Sequence, residues 1–120
     1  MRYRESEEMY LETILLLTQT KTCVHSIDVA EELNYSRASV SRAVNLLQNK
    51  GYISIAKNGE ITFTDEGKIR ATDIYERHSV IMNVLQKMGA SKEIAEENAC
   101  RFEHAITDEL IKVMKNFLDK

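Results

Sequence analysis

Proline is absent from all 120 residues, and no internal repeat or low-complexity tract is present, so no proline-rich or flexible linker divides the chain. No apolar run approaches the roughly 20 residues that span a bilayer, so a membrane segment is not expected. The opening Met1-Arg-Tyr-Arg-Glu-Ser-Glu-Glu8 lacks the apolar core of an export signal, and the expectation is a cytoplasmic protein. Only two cysteines occur, Cys23 and Cys100; without an export signal they predict reduced thiols and no disulfide framework. A glycine-rich phosphate loop, an HExxH motif and an oxyanion-hole signature are all missing. The reading is therefore no enzyme and no small organic substrate.

What remains is ordinary in amount and uneven in placement. Apolar residues make up 43% and charged residues 29%, as in a soluble folded protein. The length holds one globular core, or two small lobes sharing a long helix. A net charge of −3 argues against a nucleic-acid partner, but its distribution argues for one. From Asn34 to Gly59 there is no Asp or Glu, while Arg37, Arg42, Lys50 and Lys57 all lie there. A basic window in an otherwise acidic chain has the look of a small DNA footprint. Taken alone it also fits a solvated charged face.

Ser6 is placed to cap a first helix, with Glu7 and Glu8 in its first turn. Tyr10, Ile14 and Leu17 recur there at helical spacing beside Leu11 and Leu15. Met9 and Glu12 lie one turn apart on it. Ser26 reads as a second cap, before a short helix with Ile27, Ala30 and Leu33 inward. Asn34-Tyr35-Ser36 is a turn, and Ser36 caps a third helix that runs to Lys50 and stops at Gly51. Val40, Val44 and Leu47 form its buried stripe. Its outer face carries Arg37, Ser39, Ser41, Arg42 and Asn45, which makes a helix-turn-helix. Two β-branched runs, Tyr52–Ala56 and Ile61–Thr64, flank Asn58-Gly59 and predict a hairpin. A hairpin after a recognition helix is the wing of a winged helix. Arg37, Ser39 and Arg42 are assigned to base edges, and Ser36, Lys50 and Lys57 to phosphates.

Thr64 caps a fourth helix with Ile74, His78, Ile81, Leu85 and Met88 along one side. Ser91 caps a fifth, read as continuous to about Leu118. On it, at about 100° per residue, Cys100, Glu103 and His104 share one arc of about 100°. Thiol, carboxylate and imidazole are metal-competent groups aimed the same way. A core stripe of Phe102, Ile106, Leu110, Val113 and Phe117 lies beside that arc. Each residue has a plainer reading: Met9 as packing, His78 as a satisfied core histidine, Cys100 as a buried thiol, Glu103 with His104 as a surface pair. Ile74, Ile81, Leu85, Phe102, Leu110 and Val113 would suit a homodimer interface, and a twofold dimer fits a palindromic operator.

Together the fold class is mainly α with a small β-hairpin: a winged helix-turn-helix over 1–64 and a helical metal-binding and dimerisation region over 65–120. The motifs Glu8-Met-Tyr-Leu-Glu-Thr-Ile14, Glu76-Arg-His78 and Glu97-Asn-Ala-Cys-Arg-Phe-Glu-His104, with the winged helix, resemble the diphtheria toxin repressor family of metal-dependent repressors. In length the chain resembles the short manganese-sensing members. The resemblance implies that compact relatives dimerise and bind double-stranded DNA without a C-terminal SH3-like domain. It also implies an activating metal held by Met9, Cys100, Glu103 and His104. His78 matches a histidine of the neighbouring site, and Glu12 a ligand position of the manganese class. There are departures: Met82 stands where one second site has glutamate, and Glu96 where the iron class often has histidine. Sulfur with carboxylate and imidazole points to Fe²⁺, with Mn²⁺, Co²⁺, Ni²⁺ or Zn²⁺ as alternatives. The implied function is a repressor activated by Fe²⁺ or Mn²⁺ that controls metal-homeostasis genes. The competing reading is a winged-helix regulator responding to another ligand or to no effector.

Overall fold

The computed structural model describes residues 7–120 and contains six helices and one hairpin in that span. The elements are α1 (Glu7–Thr20), α2 (Ser26–Leu33), α3 (Arg37–Asn49), β1 (Ile53–Ile55), β2 (Ile61–Phe63), α4 (Asp65–Lys87), α5 (Lys92–Phe102) and α6 (Asp108–Leu118). Ser6, the expected first cap, lies outside the described residues. Among the described residues no helix is long and apolar enough to cross a membrane. Contacts divide the chain into two compact units that meet after Thr72, inside α4 and not at its start.

In the N-terminal unit α1 packs on α2 and α3, and α3 packs on β1. Leu11, Ile14, Val29, Val40, Val44, Leu47, Ile53 and Ile61 are buried. Each such aliphatic side chain contributes about 1.5–3 kcal/mol when fully removed from water. Ser36 caps α3 as expected, accepting from the Ser39 N–H at 3.1 Å. Asn34 takes the left-handed conformation (φ 57°) that lets the chain turn between α2 and α3. The cap of α2 is His25 and not Ser26; the Asp28 carboxylate accepts from the His25 backbone N–H at 2.8 Å. On α2 Ala30 is buried as expected, together with Val29, while Leu33 is half-buried and Ile27 exposed.

β1 and β2 pair antiparallel with Ile53 opposite Phe63 and Ile55 opposite Ile61. The Gly59 N–H donates to the Ala56 carbonyl at 2.8 Å and the Ala56 N–H to the Glu60 carbonyl at 2.9 Å. The loop is therefore the three residues Lys57-Asn58-Gly59, with Gly59 at φ 89°, the left-handed position such loops require. Gly67 at the start of α4 is needed for a different reason: a Cβ there would lie 1.7 Å from the Tyr52 carbonyl oxygen. The same first turns of α4 hold Arg70, whose guanidinium lies 3.5 Å from both Glu7 and Glu8 and 5.5 Å from the centre of the Tyr52 ring. That is why the N-terminal unit extends past Thr64.

The C-terminal unit is built from the rest of α4 with α5 and α6, around Ile81, Ala99 and Ile111, with Met82, Leu85, Ile106 and Met114 packed against them. Here the expected long fifth helix is two helices. The Thr107 hydroxyl caps α6 by accepting from the Leu110 N–H at 3.3 Å, and Arg77 donates to the carbonyls of Glu103 and Ile106. Side-chain partners thus take over backbone groups that a continuous helix would have satisfied internally. The break rotates the stripe drawn through Phe102, Leu110, Val113 and Phe117: all four are exposed, and Ile111 takes the core position. Met88, expected on the apolar side of α4, lies just past its last residue and is exposed.

Candidate metal centre and nucleic-acid interface

His78 is the hub of the C-terminal unit's polar interior. It follows Ile74 by one turn of α4, so the helix that supplies the core also turns this imidazole inward, where it is 9% exposed. Its Nδ1 lies 2.7 Å from Glu103 Oε2 and its Nε2 lies 3.3 Å from Glu96 Oε1. Glu103 is 1% exposed, and its second oxygen lies 3.1 Å from His104 Nε2. A buried carboxylate is tolerable when it is paired, and here Glu103 lies within ion-pair reach of two imidazoles, with a hydrogen bond to that of His78.

Glu96 and Cys100 are one turn apart on α5 and face this hub. One donor atom each from His78, Glu96 and Cys100 lie within 4.8 Å of one another. Imidazole nitrogen, carboxylate oxygen and thiol sulfur form a donor set suited to borderline divalent ions such as Fe²⁺ or Zn²⁺, and unsuited to Ca²⁺ or Mg²⁺. The Nδ1 contact with Glu103 is the kind of carboxylate hydrogen bond that orients a metal-binding histidine. The donor set fits a metal.

The expected arc of Cys100, Glu103 and His104 on one helix is altered by the break. Glu103 keeps helical angles as the cap of α5, and His104 sits in the turn beyond it. His78, read as a neighbouring-site residue, groups with Glu96 and Cys100. Met9 and Glu12 lie on α1 in the other unit; both are buried. Arg77, which closes the α5–α6 turn and pairs with Asp108 at 2.9 Å, was not singled out from sequence. The start of α6 is signalled in the sequence, where Thr107-Asp108-Glu109 repeats the cap-plus-acid pattern of Thr64-Asp65-Glu66.

On the N-terminal unit, Ser36, Arg37, Ser41, Arg42 and Asn45 are exposed along α3, with Ser39 half-buried. Arg42 reaches Ser39 Oγ at 3.4 Å, and Ser36 Oγ lies 2.9 Å from the same hydroxyl. Arg37 and Ser41 line a shallow groove of about 330 Å³ with His25, Ser26, Ile27 and Gly59, which joins the recognition helix to the hairpin loop. Lys57 is exposed in that loop. Lys50 differs from the others: its ammonium lies 2.5 Å from Glu7, so part of its charge is already neutralised. Ile74 and Ile81, expected at a dimer surface, are 4% and 0% exposed and belong to the chain's own core. Leu85 packs against that core too, whereas Phe102, Leu110 and Val113 face outward.

Comparison with known proteins finds family matches over both parts of the chain. Residues 3–61 match the iron dependent repressor N-terminal DNA binding domain, and residues 64–120 match the iron dependent repressor metal binding and dimerisation domain. An HTH-type transcriptional regulator of Methanocaldococcus jannaschii is 30% identical over 118 residues, covering 97% of this chain and 94% of that protein. The diphtheria toxin repressor of Corynebacterium diphtheriae is 29% identical over 117 residues, covering 93% of this chain and 52% of that protein. The crystal structure of T. acidophilum IdeR superposes with a TM-score of 0.84 at 24% identity, covering 100% of this chain and 56% of that one. The chain therefore spans about half the length of the diphtheria toxin repressor and of IdeR, and nearly all of the M. jannaschii regulator. It belongs to the iron-dependent repressor family, that of the diphtheria toxin repressor, whose members are metal-dependent DNA-binding transcriptional regulators.

Proposed function

We propose that this protein is a cytoplasmic, metal-activated repressor that binds a palindromic operator as a homodimer and controls metal-homeostasis genes. Fe²⁺ is the proposed ion, with Mn²⁺, Co²⁺, Ni²⁺ and Zn²⁺ as competitors. The observation that carries the reading is the His78–Glu96–Cys100 donor set in a chain whose other unit is a winged helix. Residues 1–64 supply DNA binding and 65–120 metal binding and dimerisation, and the protein acts by binding, not catalysis.

The proposed activating ligands are Met9, Cys100, Glu103 and His104, with His78, Glu96 and Glu12 completing or adjoining the set. A divalent ion bound there supplies fixed positive charge to thiolate, carboxylate and imidazole donors. Glu103 orients the His78 ring through Nδ1, and Arg77 holds the turn that carries Glu103 and His104. Holding these donors in place biases the protein toward its operator-binding form, and a few kcal/mol of bias is enough for a clear switch. On DNA, Arg37, Ser39 and Arg42 meet base edges, with Ser41 and Asn45 on the same DNA-binding face of α3. Ser36 and Lys57 meet phosphates, joined by Lys50 once it leaves Glu7.

The test is anaerobic titration of Fe²⁺, Mn²⁺ and Zn²⁺ against binding to a duplex selected on the metal-loaded protein. Metal should raise affinity by about 5–150-fold. Cys100→Ala should remove that gain without changing the fold or the oligomeric state. Full affinity in chelator would instead establish a regulator with another effector or none.

A further inference from the structure

Within the N-terminal unit, the hydroxyl of Tyr35 donates to the thioether sulfur of Met9 at 3.7 Å. Tyr35 is the middle residue of the turn between α2 and α3. Its backbone N–H is held by the Ala30 carbonyl at 3.1 Å, Asn34 before it is left-handed, and Ser36 after it is the cap of the recognition helix. The Tyr35 ring also stands 6.3 Å from that of Tyr10, inclined at 59°, so the next residue of α1 buttresses it. Met9 is 5% exposed.

A thioether has two lone pairs and three freely rotating bonds behind it. A hydroxyl directed at one of these lone pairs selects a rotamer of the side chain and so fixes where the sulfur lies. We propose that Tyr35 is the positioning residue that couples Met9 to the start of the recognition helix. The inference rests on Met9 being a metal ligand, as proposed above. In the metal-free protein the Tyr35 hydroxyl places the sulfur. With the sulfur committed to a metal, the hydroxyl is held in turn, and with it the backbone from which Ser36 caps α3. Linkage makes the effect reciprocal: DNA that orders the turn raises metal affinity by the same factor.

The experiment uses the full chain, Fe²⁺ under anaerobic conditions, and a duplex selected on the loaded protein. Duplex affinity with saturating Fe²⁺, divided by that in chelator, gives the coupling factor; Fe²⁺ affinity is measured separately without DNA. Tyr35→Phe keeps the ring and removes the hydroxyl. It should cut the coupling factor by about 2–30-fold, leaving duplex affinity in chelator and the thermal midpoint at wild-type values. In a Met9→Leu background the same substitution should change nothing further. A wild-type coupling factor in Tyr35→Phe, or effects of the two substitutions that simply add, overturns the inference. If Met9→Leu binds Fe²⁺ as wild type does, the ligand assignment of Met9 fails. If Met9→Leu weakens Fe²⁺ binding while Tyr35→Phe leaves coupling intact, only the Tyr35 inference fails.

Discussion

At the scale of single residues, the two cysteines divide by surroundings. Cys100 sits beside His78 and Glu96, whereas Cys23 is exposed and belongs to no such donor set among the described residues. The Glu60 carboxylate beside Cys23 raises its thiol above the usual cysteine value, by charge first and by hydrogen bonding second. A raised value means less thiolate at a given pH, and the thiolate is the nucleophile. Iodoacetamide at pH 8 should therefore label Cys23 more slowly than an unhindered thiol peptide. Glu60→Gln should speed that labelling, measured by peptide mapping; an unchanged rate would remove Glu60 as the cause. At this scale the sequence shows identities and spacings, and from them Cys100, Glu103 and His104 read as candidate donors; the structure groups Cys100 with His78 and Glu96. That His78, Glu96 and Cys100 form one group is not carried by local spacing, because it depends on how α4 packs against α5. No spacing between residues 78 and 96 carries that information. Arg77 was hidden for the same reason, since its partners are carbonyls exposed only once a helix ends.

At the scale of elements, most of the fold could be read from local chemistry. Ser36, Thr64 and Ser91 cap the helices expected of them, and the hairpin forms where β-branched runs flank Asn58-Gly59. The largest difference has one origin: helical periodicity runs on in the sequence across a break, between α5 and α6, that contains neither glycine nor proline. Thr107 makes that break, so its hydroxyl should matter. Thr107→Ala should lower stability by about 1 kcal/mol, the usual worth of such a cap, seen as a lower urea midpoint. The α6 signals should exchange with solvent faster than those of α3. Gly67 sets a harder limit. Its Cα lies against the Tyr52 carbonyl, and a methyl group at 1.7 Å forces α4 away from the hairpin. Gly67→Ala should cost upwards of about 1–3 kcal/mol, the range for overpacked sites, while Gly51→Ala, with open space around it, suffers only the strain of its φ of 83°. A Gly67→Ala urea midpoint equal to wild type would show that α4 yields without penalty.

At the scale of the whole molecule, the outward apolar residues of α5 and α6 become the central fact. Phe102 at 44%, Leu110 at 42%, Val113 at 60% and Phe117 at 41% exposure leave more apolar surface in water than scattered single residues would. The part of the chain that carries them matches a domain described as metal binding and dimerisation. A twofold axis through such a face brings each residue near its own counterpart, so one introduced charge faces a like charge across the axis. Val113→Glu should therefore convert a dimer to monomers in sedimentation, with helix content unchanged because Val113 takes no part in the chain's own core. Operator binding should fall further than half-site binding, since two linked reading heads gain effective concentration that a monomer lacks. Arg42→Ala separates the two contributions: it should weaken operator binding and leave the dimer intact. If Arg42 meets a phosphate and not a base, the slope of log affinity against log salt should fall by about 0.9 for each site removed. A Val113→Glu protein that remains dimeric would place the interface elsewhere, and the exposed stripe on α6 would then need another occupant.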